Sequence, residues 1–123
     1  MNSDDIFTLE ELPKSMVVLG GGYIGIEMAQ IMQAFGVKTT LLARNQLLSY
    51  VDQDLIEILL DCMNKLGLDA RVKSPFTGVS KLDNGMLRVA LADGGHVDAE
   101  TVLVAIGRPP MVEKLQLENA GVK

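Results

Sequence analysis

The run of glycines that directly follows "SMVVL" limits the fold of this chain more than any other feature. Gly20, Gly22 and Gly25 fit the pattern G-x-G-x-x-G and lie between an apolar, β-branched run and a segment with helical spacing. In such a unit the first glycine permits a sharp turn, the second admits a pyrophosphate and the third lets the helix pack closely on the strand. Free amides at the helix start, near Tyr23, would hold the phosphates. The stretch predicts a dinucleotide site; a tight structural turn is the alternative that spacing alone leaves open.

The elements around this motif alternate strand, helix, strand, helix, strand, which is typical of a parallel sheet. Gly36 and Gly67 are expected to end the two helices, and Asp52 is expected to cap the start of the second. The predicted strands are Ser15 to Leu19, Lys38 to Ala43, Leu68 to Ser74 and Thr101 to Gly107, and the apolar helix positions are Ile24, Met28, Ile31, Met32 and Phe35, then Leu55, Ile58, Leu59, Cys62, Met63 and Leu66.

After Pro75 the hydrophobic period changes. Three short or alternating segments follow, Thr77 to Leu82, Gly85 to Asp93 and His96 to Glu100, with the hairpin signal "DNG" between the first two. They predict an antiparallel meander. The expected fold is therefore α/β and Rossmann-like, a parallel sheet with helices on both faces and the antiparallel β-meander as one crossover.

The composition of the chain argues against several classes of partner and of active site. The chain has 123 residues and a net charge of -5, which predicts one domain and disfavours nucleic acid or an acidic membrane as a partner. One cysteine and one histidine make a zinc site or a Ser/His/Asp triad improbable. Cys62 is expected in the core or at its boundary, and His96 in a surface loop. With no membrane-spanning run and an acidic start in place of a signal peptide, a soluble, cytoplasmic chain is expected, an organellar parent being the alternative.

The residue after the second strand bears on the choice of dinucleotide. Sites for NAD or FAD usually have an acid there for the ribose hydroxyls, whereas this chain has Ala43 and then Arg44. An arginine pairs with a 2′-phosphate and stacks on adenine, which favours NADP(H) over NAD(H). The missing acid disfavours an FAD-binding half or a methyltransferase. Two considerations oppose the preference for NADP(H). NADP sites often have alanine at the position of Gly25, and Arg44 could be only a solvated residue at the end of a strand.

Three stretches, Ser3 to Ala29, Thr39 to Leu48 and Val102 to Pro110, together resemble the central NAD(P)-binding domain of the pyridine nucleotide-disulfide oxidoreductases. The resemblance covers nearly the whole chain. It implies a single domain excised from a longer flavoenzyme: residues 1–13 lead in, 14–107 form the core and 108–123 begin the return to the FAD domain. It also implies a homodimeric parent, with FAD bound mainly by another domain and with a separate interface domain.

The resemblance assigns roles to individual residues. Tyr23 is expected to cover the flavin at the nicotinamide pocket, and Glu27 to lie beside the nicotinamide and pair with a lysine of the FAD domain. From the residues alone, Tyr23 could equally be core and Glu27 an exposed helix residue. The remaining expected contacts are Gly20, Gly21, Gly22, Ile24 and Gly25 at the glycine loop, Arg44 at the 2′-phosphate, Ser49 where many NADP-using members have a second arginine, and Gly107 near the nicotinamide.

The function expected from this resemblance is presentation of NADPH for hydride transfer to flavin and then to a disulfide-type acceptor, as in glutathione reductase. The isolated domain is expected to bind dinucleotide and to be inactive. Two alternatives stay open: the NAD-binding domain of a dihydrolipoamide dehydrogenase, and a non-enzymatic nucleotide-sensing module.

Overall fold

A four-stranded parallel sheet forms the centre of the computed structural model, which describes residues 1–109 and 112–122. The strands are ordered β3-β2-β1-β7, so the first strand of the chain is internal. Their bounds are Ser15–Leu19 for β1, Lys38–Leu42 for β2, Asp69–Arg71 for β3 and Thr101–Val104 for β7. Residues 16–19 of β1 and 39–42 of β2 are all buried, as expected of parallel strands covered on two sides. The α/β fold class expected from the sequence is confirmed.

Two helices connect the first three strands, α1 (Tyr23–Ala34) and α2 (Gln53–Lys65). Both pack on the same face of the sheet, where Ile26 of α1 and Ile56 of α2 share one core cluster with Met16 and Val18 of β1. The expectation of helices on both faces is therefore wrong. The second face is covered by strands instead.

The cover of the second face is the antiparallel meander, formed by β4 (Phe76–Lys81), β5 (Leu87–Leu91) and β6 (His96–Ala99). Val89 and Ala99 of this meander pack in a second core cluster with Val17, Leu42 and Val102 of the parallel sheet. The hairpin expected at "DNG" is present: Gly85 has a φ of 85°, and the amide of Met86 donates to Asn84 Oδ1 over 3.0 Å. The meander is the crossover from β3 to β7.

The apolar faces of the helices differ from the sequence interpretation. In α1 the sheet side holds Gly25, Ile26, Ala29 and Met32, while Ile31 and Phe35 are exposed. In α2 only Ile56 and Met63 are fully buried; Leu55, Ile58 and Leu66 are exposed, and so is Cys62, which corrects its expected place in the core. The small residues Gly25 and Ala29 let α1 approach the sheet closely, and the buried Ile26 and Met32 complete this face of the helix.

The N-terminal segment is attached to the sheet by hydrogen bonds and by apolar contacts. The amino group of Met1 donates to the carbonyl of Val102 over 3.0 Å, the amide of Val104 donates to the carbonyl of Met1, and Ile6 and Leu9 pack against the first core cluster.

Short 3₁₀ turns occur at Asp5–Thr8, Glu113–Leu115 and Leu117–Ala120. The expected return segment, 108–123, includes residues 110, 111 and 123, which lie outside the described residues. Within the described ranges no helix has the length and apolar content needed to cross a membrane.

Candidate functional site

The glycine loop joins β1 to α1 in a space too small for side chains. Gly20 has a φ of 126°, and a Cβ placed on it would lie 2.2 Å from the carbonyl oxygen of Ala105. A Cβ on Gly25 would lie 2.2 Å from the carbonyl oxygen of Gly20. Gly20 therefore allows the loop to contact the end of β7, and Gly25 allows α1 to contact the loop. Close packing of this kind is expected of the first and third glycines of the motif.

Gly22 differs from its two partners. Its φ of -82° and ψ of 174° suit any residue, and a Cβ placed on it would meet no atom within 4 Å. The glycine is thus required neither by backbone strain nor by packing. It leaves the start of α1 open to a ligand, at the end of the helix where the first backbone amides have no intrahelical acceptor and where the dipole is positive. No acidic residue lies in this first turn.

The loop after β2 forms the neighbouring wall. The amide of Leu48 donates to the carbonyl of Gly21 over 2.9 Å, and a Cβ on Gly21 would lie 2.8 Å from the Cβ of Ala43. These contacts hold the loop carrying Arg44 against the glycine loop. Leu47, fully buried in the first core cluster, anchors the same loop from below. The two loops therefore keep a fixed spacing at the carboxyl ends of β1 and β2.

A cleft of about 830 Å³ lies between these loops and the residues that follow β7. Parallel α/β sheets bind their ligands at this edge, outside the carboxyl ends of the strands. Of the residues expected at the site, the cleft brings together Gly20, Gly21, Gly22, Tyr23, Ile24, Arg44, Ser49 and Gly107. Gly25 and Glu27 do not line it: Gly25 is buried under the loop, and Glu27 is exposed on α1, one turn after Tyr23.

Tyr23 occupies the first position of α1 and is 60% exposed. The interpretation of this side chain as core is therefore wrong for this chain. Its ring lines the cleft beside the open start of the helix. An exposed aromatic ring at such a place is available for contact with a ligand or with a further part of a larger protein.

Sequence reasoning missed several residues that line the cleft. Asn2, Ser3 and Asp4 reach it because the lead-in segment pairs with β7. Phe76 reaches it from the first position of β4, with its ring centroid 4.7 Å from the Arg44 Cζ. Their positions depend on contacts distant in sequence, so no local pattern could reveal them. The remaining lining residues are Ala43, Asn45, Gln46, Leu48, Tyr50, Val104, Ala105, Ile106, Arg108 and Pro109.

The charges of the cleft are arranged at its two ends. Arg44 follows β2, whereas Arg108 follows β7 and contacts Asp4 over 3.6 Å. Because β1 lies between β2 and β7, the two arginines belong to strands that are about 10 Å apart. Arg44 has no carboxylate within ion-pair distance among the described residues. The β2 end of the cleft therefore offers an uncompensated positive charge.

The groups whose pKa is shifted by their neighbours lie away from the cleft. A bidentate hydrogen bond from Arg88 lowers the pKa of Asp98 on the meander, and hydrogen bonds to Asp69 raise the pKa of Arg71. His96 is exposed, at the first position of β6 rather than in a loop, and neither it nor Cys62 lines the cleft. In residues 1–109 and 112–122 no group of acidic, histidine or cysteine side chains is arranged to hold a metal ion. The described cleft is thus suited to binding an anionic, elongated ligand.

Comparisons with known proteins agree with this geometry. The model of the pyridine nucleotide-disulphide oxidoreductase family matches residues 1–123. The chain is 35% identical to glutathione reductase of Schizosaccharomyces pombe and 36% identical to the soluble pyridine nucleotide transhydrogenase of Mycobacterium bovis, and the matches cover 100% of this chain. It covers 27% and 26% of those relatives, about a quarter of their length.

A solved structure is also similar. The HOCl-induced flavoprotein disulfide reductase RclA from Escherichia coli superposes with a TM-score of 0.89 at 31% identity, over 100% of this chain and 28% of that one. The family model, the two relatives and the solved structure all indicate the same group of oxidoreductases. The chain belongs to the pyridine nucleotide-disulphide oxidoreductase family.

Proposed function

We propose that this chain is the NADP(H)-binding domain of a larger, homodimeric flavin-dependent disulfide reductase of the glutathione reductase type. The observation that carries the proposal is Arg44, which lies at the carboxyl end of β2 and lines the same cleft as the glycine loop. A site for NAD usually places an acid at this strand end, and an acid would repel a 2′-phosphate. When bound, the dinucleotide supplies a hydride that passes to flavin and, as electrons, to a disulfide-type acceptor.

In this proposal the chain itself binds and orients. The amides at the start of α1 hold the pyrophosphate above Gly22, and Arg44 pairs with the 2′-phosphate at the β2 end. Gly107, with a φ of 146°, lies after β7 and borders the nicotinamide half. The dinucleotide then spans the cleft from β2 towards β7. Purified alone, the chain binds NADPH and does not oxidise it, because the flavin belongs to another part of the parent.

Titration calorimetry with NADPH and NADH tests the cofactor assignment. Replacement of Arg44 by alanine removes a charge-assisted pair, and we expect the Kd for NADPH to rise about tenfold or more while the Kd for NADH changes by less than about threefold. Arg44 is exposed, so the variant should unfold at the wild-type temperature. A preference for NADPH that persists in Arg44→Ala would refute the assignment.

One observation favours NAD, the cofactor of the dihydrolipoamide dehydrogenase alternative. The cleft beside Arg44 holds the neutral side chains of Asn45, Gln46 and Ser49, with no second arginine among the described residues of that loop. A single cation holds a phosphate less firmly than two. Equal affinity of the wild-type chain for NADH and NADPH would support this second candidate.

Tyr23 and Glu27 belong, in this proposal, to the nicotinamide end. Tyr23 lines the cleft at the start of α1, and Glu27 lies one turn further along the helix, exposed and outside the cleft lining. Tyr23 is proposed to cover the flavin until the nicotinamide displaces it, and Glu27 to pair with a lysine of the FAD domain. The exposure of both side chains supports partners outside this chain.

Adenosine 2′,5′-bisphosphate, which lacks the nicotinamide half, separates the two ends of the cleft. We expect Tyr23→Ala to weaken NADPH binding by about threefold or more through lost ring contact, with no change for adenosine 2′,5′-bisphosphate. Arg44→Ala is the matched variant for the opposite end and should weaken both ligands. An equal loss of both ligands in Tyr23→Ala would place the ring at the adenosine end and contradict the proposal.

The exposed side of α1 supports a parent of several domains over a self-sufficient sensing module. Ile31 and Phe35 are 43% and 67% exposed, and they continue the side of the helix that carries Glu27. Apolar side chains at helical spacing on a surface mark contact with another part of a protein. We propose that this side of α1 packs against the remainder of the parent chain.

Paired variants test this surface. Ile31→Gln and Phe35→Gln should change the stability of the isolated chain by less than about 0.5 kcal/mol, because neither side chain is buried. Met32→Ala, on the buried side of the same helix, should cost about 2 to 5 kcal/mol. In the full-length parent, Ile31→Gln and Phe35→Gln should lower thermal stability. A parent whose stability is unchanged by both would exclude this contact.

A further inference from the structure

The side chain of Phe76 lies against the cationic end of Arg44, and no pattern in the sequence predicts this contact. The distance of 4.7 Å from the Arg44 Cζ to the ring centroid is within the range of a cation–π contact. Both side chains line the cleft. Arg44 is exposed and Phe76 partly buried, so the contact joins a solvent-facing cation to an anchored ring.

Main-chain hydrogen bonds fix the relative position of the two residues. The amide of Ser74 donates to the carbonyl of Ala43 over 2.9 Å, and the amide of Lys73 donates to the carbonyl of Asn45 over 3.0 Å. The residues on both sides of Arg44 are therefore tied to the segment that leads directly into Phe76. These bonds hold the backbone around Arg44 close to the backbone that precedes Phe76.

The ring itself is fixed from the opposite side. Phe76 opens β4, pairs with Leu91 of β5 and packs against the second core cluster, which contains Leu19, Leu42 and Val89. A side chain packed against such a core has little rotameric freedom. Phe76 therefore presents a rigid apolar surface to a flexible arginine.

We propose that Phe76 is a specificity-determining positioning residue, which orders the Arg44 guanidinium for a ligand that carries an adenosine 2′-phosphate. This inference rests on the proposed function and names the group that prepares its key cation. A free arginine side chain loses much rotamer entropy when it binds phosphate, and a ring that already restricts the side chain reduces that loss. This ordering compensates in part for the single cation at the β2 end, where Ser49 stands in place of a further arginine.

The variant Phe76→Leu keeps apolar volume in the core and removes the π face. We expect it to weaken binding of NADPH and of adenosine 2′,5′-bisphosphate by about two- to fivefold, the strength of an exposed cation–π contact, while the Kd for NADH changes by less than about twofold. Phe76→Tyr retains the ring and should bind all three ligands as the wild type does.

A double-variant cycle separates positioning from structural damage. In the Arg44→Ala background, Phe76→Leu should have no further effect on the NADPH to NADH preference. Leu87→Ala is the matched core control, because Leu87 packs against the same cluster and does not line the cleft. It should lower the Tm and leave the preference unchanged.

The outcomes distinguish this inference from the function on which it rests. If Arg44→Ala leaves the preference unchanged, the NADP assignment fails. If Arg44→Ala abolishes the preference while Phe76→Leu does not alter it, the assignment stands and the role of Phe76 is refuted. Tighter NADPH binding by Phe76→Leu would also refute it, because the ring would then hold Arg44 away from the phosphate.

Discussion

The glycine loop and the loop after β2 border the same cleft, but they are built by different means. In the glycine loop the backbone forms the surface, and a Cβ on Gly20 or Gly25 would lie 2.2 Å from a carbonyl oxygen. In the loop after β2 the surface consists of exposed side chains, with Arg44 and Ser49 among them. We therefore expect substitutions in the first loop to impair the fold or the binding of every proposed dinucleotide. Substitution of the exposed side chains in the second loop should instead alter the preference for one dinucleotide over another.

The largest expected effect is on stability, from Gly20→Ala. The substitution combines a φ of 126° with a backbone clash against Ala105, and we expect a loss of about 3 to 5 kcal/mol in the free energy of unfolding. Gly78→Ala is the matched control, because Gly78 does not have a positive φ and a Cβ placed on it would meet no atom within 4 Å. Urea unfolding of both variants measures the difference. Equal midpoints would show that the glycine loop tolerates side chains after all.

The second largest effect is expected at Gly22, where substitution should weaken dinucleotide binding and leave the stability of the fold almost unchanged. Gly22→Ala places a methyl group in the open space at the start of α1, and its backbone angles are ordinary. We expect NADPH and NADH to bind about tenfold or more weakly, since the pyrophosphate can no longer reach the amides, while stability changes by less than about 1 kcal/mol. A loss confined to NADPH would contradict a role at the shared pyrophosphate.

A smaller and selective effect is expected at the loop after β2. Ser49→Arg restores a second cation in the cleft and should tighten NADPH binding about three- to tenfold, with little change for NADH. Ser80→Arg, on the exposed strand β4, adds the same charge away from the cleft and serves as the control. If both variants tighten NADPH binding equally, the gain comes from net charge and not from the site.

The smallest effect is expected on the meander, outside both loops. The hydrogen-bonded Arg88 lowers the pKa of Asp98, so the pair stabilises the fold above the ordinary aspartate pKa of about 3.9, and this contribution is lost as the pH falls through the lowered value. Asp98→Asn should therefore reduce the acid sensitivity of unfolding slightly and leave dinucleotide binding unchanged. Thermal unfolding between pH 2 and pH 7 would detect this change. An altered Kd for NADPH would contradict the separation of the Arg88–Asp98 pair from the cleft.

The glycine spacing and the alternation of elements were enough to predict the parallel sheet, the meander and most of one wall of the cleft. Gly20, Gly22 and Gly25 could be identified directly, because their spacing matches the glycine motif of the strand–turn–helix unit. The exposed face of α1 could not be identified from the sequence in this way. Ile31 and Phe35 have the same apolar character and spacing as core residues, and periodicity does not tell which surface a helix side will meet.

Local sequence was sufficient where the constraint acts between neighbours along the chain: turns at glycines, the glycines that end both helices, and the β-branched runs of buried strands. Asp52 lies at the N-cap of α2 as expected, but its side chain makes no capping hydrogen bond. The placement of both helices on one face, the entry of Asn2 to Asp4 into the cleft, and the contact of Phe76 with Arg44 were settled only when distant segments packed together. The physical reason is that these positions follow from the shared core and from hydrogen bonds such as Ser74 to Ala43, which join segments about 30 residues apart. The sequence therefore predicts a dinucleotide site, and only the packing of distant segments brings the ring of Phe76 against Arg44.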